Sequence, residues 1–99
     1  MLFNDAIEYY QAIANELVEI IPEPWNRVTV TAKLFESSIE TQVIYYKPDG
    51  SKESRVRTVM INRYFYELAQ VVSNEDKGLY KQCNFALHDN GKFDVNFEY

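Results

Sequence analysis

Ile21-Pro22-Glu23-Pro24-Trp25-Asn26-Arg27-Val28-Thr29-Val30-Thr31-Ala32-Lys33-Leu34 is the stretch at which the hydrophobic period of this chain changes. Before it, Ile7, Tyr10, Ile13, Ala14, Leu17, Ile20 and Ile21 recur at helical spacing, which predicts a first helix with one apolar stripe turned to a core. Asn4 or Asp5 can cap its start, and Pro22 and Pro24 stop it. From Arg27 the period is two. Val28, Val30, Ala32 and Leu34 alternate with Thr29, Thr31 and Lys33, as in a strand with one face buried.

The rest follows the same two periods. Ile39 to Tyr46 reads as a second strand, in which the Val43-Ile44-Tyr45-Tyr46 run breaks the alternation and suggests partial cover on both faces. Lys47-Pro48-Asp49-Gly50 is a turn, and Glu53 to Val59 reads as a third strand. Asn62 is the expected cap of a second helix carrying Tyr64, Phe65, Leu68, Val71 and Val72. After a polar loop from Ser73 to Gly78, Gln82 to His88 alternates as a fourth strand, Asn90-Gly91 signals a hairpin, and Phe93, Val95, Phe97 and Tyr99 line one side of a fifth. The expected architecture is one α+β domain over residues 1–99, in the order α-β-β-β-α-β-β, with two helices on one face of an antiparallel sheet.

Composition narrows the function. Ten Lys and Arg against fifteen Asp and Glu in 99 residues give a net charge of −5, which argues against direct nucleic-acid binding. No stretch approaches the roughly 18 apolar residues of a membrane span, and Met1 to Asp5 lacks the basic start of a secretory signal. Cys83 has no partner for an internal disulfide, which suits a reducing, cytoplasmic setting. The charge is unevenly spread: residues 1–26 hold Asp5, Glu8, Glu16, Glu19 and Glu23 with no Lys or Arg, while residues 47–63 are mildly basic.

Catalytic and metal chemistry find little to work with. His88 is the single histidine, and its neighbour Asp89 points the other way along a strand. One Cys and one His lack the paired spacing of a zinc site, Asp89-Asn90-Gly91 lacks the remaining ligands of a calcium loop, and no glycine-rich phosphate loop occurs. Cys83 shares strand parity with Phe85 and Leu87, as a small core residue would. No cofactor and no enzymatic activity are expected.

Binding is better served. Glu8 and Glu19 mark a negative helix face flanked by Asp5 and Glu16, either a solubilising surface or a field complementary to a basic partner. Glu8, Glu16, Glu19 and Glu23 are the candidate charged contacts. Tyr9 and Tyr46, off the clearest apolar stripes, are the candidate aromatic ones. Trp25 is expected to pin the helix-to-strand corner over Leu17, Ile21 and Val28, the alternative being a binding hot spot.

An ordered set of short patterns adds to this: Tyr10-x-x-Ile13-Ala14, Ile21-Pro22-Glu23-x-Trp25, Tyr46-x-Pro48-x-Gly50, Arg63-Tyr64-Phe65-x-x-Leu68 and Gly91-Lys92-Phe93-x-x-x-Phe97-x-Tyr99. Together they resemble the YezG family of immunity proteins along nearly the whole chain. The resemblance departs at Tyr80, where a Trp is expected, and in the short loop before it. It implies an antitoxin that holds a cognate secreted toxin inactive, typically a polymorphic toxin with an LXG-type delivery region and a C-terminal nuclease domain. The rival is an acidic secretion chaperone, which binds an effector without blocking its active site. A small ligand-binding domain would need convergent polar residues that the sequence does not show.

Overall fold

The computed structural model describes residues 1–54, 56–73 and 76–99. Its elements are α1 (Ala6–Ile20), β1 (Arg27–Leu34), β2 (Ile39–Tyr46), β3 (Lys52–Glu53), α2 (Val59–Val71), β4 (Gln82–His88) and β5 (Phe93–Glu98). The α-β-β-β-α-β-β order and the α+β class are those read from the sequence. The strands form one antiparallel sheet in the order β3-β2-β1-β4-β5, with β1 at its centre.

Register turns the alternation of β1 into a shared face. Val30 lies opposite Val43 on one side and Phe85 on the other, Val28 opposite Tyr45 and Leu87, and Ala32 opposite Thr41 and Cys83. Phe85 and Leu87 in turn face Val95 and Phe93 of β5. Residues directly opposite in an antiparallel pair share a face, so all of these point to the same side, where the helices lie. An aromatic chain runs across this layer: the Phe65 ring meets Phe85 edge-on, Phe85 stacks on Phe93 at 5.5 Å, and Phe93 meets Tyr10 at 5.7 Å. Tyr80 fills the position where the family pattern leads one to expect Trp. It is buried, stacks on Phe97, and donates its hydroxyl to the Phe65 carbonyl.

The proline stop works through Ile21, which is extended because Pro22 follows it, while its N–H still bonds the Leu17 carbonyl. Asn26 then stitches the corner, donating to the Tyr46 carbonyl and accepting from the Asp89 amide. The Asn90-Gly91 signal becomes a three-residue hairpin loop, Asp89 to Gly91. Gly91 sits at φ +86° while the His88 amide reaches the Lys92 carbonyl.

Three expectations are corrected. The third strand is only Lys52–Glu53, and the Val56 amide bonds the Ser54 carbonyl. Arg55, within the expected strand, lies outside the described residues, as do Asn74 and Glu75 of the following polar loop. α2 starts at Val59 after Thr58, and Asn62 lies inside its first turn, where its side chain accepts from the Thr41 hydroxyl and ties the helix to β2. That bond uses the oxygen a cap would have offered.

The third correction is the rotation of α1 about its axis. Tyr9, Ile13 and Leu17 are fully buried, whereas Ile7 is 55% exposed. Tyr9, expected as an exposed aromatic contact, is therefore a core residue. Its ring meets Phe3 at 5.0 Å and its hydroxyl donates to Glu67 Oε1 at 2.6 Å. Glu67 also accepts from the Leu2 amide and from Arg63 one helical turn away. A tyrosine can enter the core because this carboxylate receives its hydroxyl there.

Those donors, the Tyr9 hydroxyl first, hold the Glu67 carboxyl at about 2, below its usual 4.5. A depressed carboxylate stabilises the fold above its unfolded value, and the contribution is lost as pH falls through the folded value. The protein should therefore lose stability between about pH 4.5 and pH 2. Glu67→Gln should flatten that acid limb in a urea titration and cost about 1–2 kcal/mol at neutral pH, as removing a charged hydrogen-bond partner commonly does.

Candidate partner-binding surface

Viewed down its axis, α1 divides into three arcs. The first is the core arc of Tyr9, Ile13 and Leu17, edged by Ala6, Tyr10, Ala14 and Ile20. The second carries the acids. Glu8 and Glu19 are exposed and Glu16 is half-buried, with Asp5 at the N-cap accepting from the Glu8 amide at 3.0 Å. Asp5 and Glu8 suit the positive end of the helix dipole. Glu19 does not: it stands in the last turn, which holds no basic residue, at a cost of about 0.3–1 kcal/mol before screening. The third arc is wet and mostly apolar, with Ile7 and Val18 exposed beside Ala14 and the exposed Gln11 among them.

Glu23 does not join the acidic arc. Its carboxylate accepts from the Tyr45 hydroxyl at 2.6 Å and pairs with Lys47 Nζ at 3.1 Å. The Tyr45 hydroxyl foremost, and then Lys47, hold it below the usual carboxylate range. It fastens the α1–β1 corner to the end of β2.

Tyr46 is also elsewhere. It lies on the sheet face away from the helices, half-buried, with the Arg27 guanidinium 4.4 Å over its ring and Lys52 opposite in register. Thr29, Ile44, Ala86, Thr31 and Asn84 continue this face by register. Its centre is short-chained and uncharged. Of the six expected contact residues, the structure thus brings together Glu8, Glu16 and Glu19, uses Glu23 at a corner, places Tyr46 on the opposite side of the sheet, and buries Tyr9.

The reactive side chains are committed. Cys83 is fully buried at the centre of β4, and burial pushes its thiol up to about 12. His88 Nε2 sits 2.9 Å from Asp94 Oδ2 on the face of Tyr46, while Asp89 turns to the hairpin loop. A polar concavity of about 500 Å3 lies where Ile39–Gln42 meet Asn62. No helix of the described residues is long and apolar enough to cross a membrane.

Two comparisons with known proteins bear on the identity of this chain. The family described as "Immunity protein YezG-like" matches residues 7–64, from the first turn of α1 into α2. The type VII secretion system protein EsaG of Staphylococcus aureus (strain NCTC 8325 / PS 47) is 26% identical, over the whole of this chain and 71% of its own length.

Thiol chemistry gives a direct check on the burial of Cys83. At pH 8 a thiol titrating near 12 is thiolate in only about one part in 10,000 molecules. An aromatic disulfide reagent should leave the native protein unlabelled and modify one thiol per chain on unfolding in guanidinium. Rapid labelling of native protein would contradict this placement.

Proposed function

This chain belongs to the YezG-like family of immunity proteins, and from that premise we propose that it binds a cognate secreted toxin and neutralises it by occupancy, without chemistry of its own. The match over residues 7–64 is the observation that carries the reading. The toxin we infer is a nuclease. An enzyme that holds nucleic acid must present cations to phosphates, and a protein of net charge −5 with an acidic arc on α1 that carries no Lys or Arg offers the complementary field. The position of Glu19 supports it, since helix stability would favour Lys or Arg there. The described histidine and cysteine are engaged with the Asp94 carboxylate and in the core, which suits a protein that acts by binding. We place its action in the cytoplasm of the producing cell, where a toxin awaiting export would endanger its maker.

One observation favours a second reading. EsaG is named as a secretion system protein, and a chaperone that escorts an effector would be equally small and acidic. The two differ in what happens to the toxin's active site.

Adding the purified protein to the nuclease domain of the toxin encoded beside it should abolish DNA or RNA cleavage at about one-to-one, since tight association titrates the enzyme. Undiminished cleavage in a complex confirmed by gel filtration, at about tenfold excess, would reject neutralisation and favour the chaperone. Reversing Glu8, Glu16 and Glu19 together to Lys should lower the association rate about tenfold or more at low salt and flatten its salt dependence. The circular dichroism spectrum should not change, because none of the three is buried. A triple variant that associates at the wild-type rate would make the arc a solubilising surface alone.

A further inference from the structure

Between α1 and the β4–β5 hairpin lies a groove of about 380 Å3, lined by Ala14, Asn15, Val18, Trp25 and Leu87, with Asp89 and Gly91 on the hairpin side. Trp25, expected to be a buried corner pin, packs on the core but is only half-buried, and part of its ring forms this wall. Val18 is 58% exposed at the groove and Ile7 55% exposed further along the same helix line. Positions 14 and 18 are one turn apart at the groove, and Ile7 continues their line two turns back, with Gln11 between. We propose that this groove receives an apolar anchor side chain of the toxin, carried on a segment flanked by Lys or Arg. The inference rests on the toxin-binding reading and adds to it where the toxin sits and what residue enters.

Three observations select that occupant. The first is size: the groove lies at the low end of the ~300–1,000 Å3 of ligand sites and matches one or two large side chains. The second is charge. Asp89 is exposed on the hairpin wall, Glu8 and Glu19 occupy the next arc of α1, and residues 1–26 contain no Lys or Arg. His88, at the rim, is already paired with Asp94. A largely apolar floor with Asp89 on its wall, and Glu8 and Glu19 farther round α1, recognises an apolar side chain flanked by cations, the charges adding specificity and association rate. The third is access. Gly91 has no side chain, and nothing lies within 4 Å of where a Cβ would stand, so the hairpin wall stays low. Tryptophan is also the residue most enriched among side chains that dominate binding energy.

Trp25 is the only tryptophan in the chain, so replacing it biosynthetically with 5-fluorotryptophan places one fluorine in the groove wall. The labelled full chain is titrated with unlabelled nuclease domain of the adjacent toxin, and complex formation is followed by gel filtration on the same samples. The Trp25 resonance should move to a new bound position. Val18→Glu should weaken binding about tenfold or more, while Val59→Glu, the same change at a 78% exposed site on α2, should leave it unaltered. A confirmed complex in which the resonance stays put, or in which Val18→Glu binds like wild type or loses no more than Val59→Glu, overturns the groove assignment and leaves toxin binding standing. The absence of any complex overturns the toxin-binding reading and the groove with it.

Discussion

The pairing of β1 on both sides is the constraint from which the rest of this structure follows. Eight residues exchange backbone hydrogen bonds with β2 and, over most of their length, with β4. With both edges satisfied, the only freedom left to β1 is which face it shows to water, and Val28, Val30 and Ala32 remove that freedom by being apolar at every second position. A slip of one residue would put three threonine and lysine side chains under the helices. The neighbours inherit the choice: the inward parity of β2, β4 and β5 is set by register, and the helices can cover only the face so defined.

This explains which parts of the fold were legible in the sequence. Long elements with one clean period, α1, β1, β4 and β5, are visible because their hydrophobic pattern and their environment carry the same information. β3 is different. Two residues pair with Tyr45 and Tyr46 at the sheet edge, too few to leave a periodic trace, and the alternation of Arg57 and Thr58 beyond it belongs to the approach to α2. The start of α2 was misread through Asn62 because capping and tertiary hydrogen bonding use the same side-chain oxygen. Only the position of Thr41 reveals which it serves.

The rotation of α1 carries the most instructive error. On periodicity alone, Ile7 looks interior and Tyr9 exterior. Tyr9 goes inside because Glu67, 58 residues away in sequence, accepts its hydroxyl. No local pattern encodes that carboxylate. The same gap hid the groove: the acidic bias of residues 1–26 is plain in composition, whereas the groove exists only because the β4–β5 hairpin arrives beside Val18 and Trp25. Glu23 and Tyr46 show the converse, being correctly typed as polar and aromatic surface groups yet assigned to intramolecular partners by geometry, Lys47 with Tyr45 in one case and Arg27 in the other.

The three arcs of α1 separate what holds the domain together from what faces outward, and that separation bears on how such a protein could change. Ile7, Glu8, Asn15, Val18 and Glu19 all lie on the outer arcs. Substitutions at such sites usually move stability by less than about 0.5 kcal/mol. This strip can be rewritten one residue at a time, each intermediate remaining folded, while Tyr9, Ile13 and Leu17 keep the frame constant. The helix thus behaves as a replaceable label mounted on a fixed plate, and sequence change should accumulate there faster than in the sheet beneath.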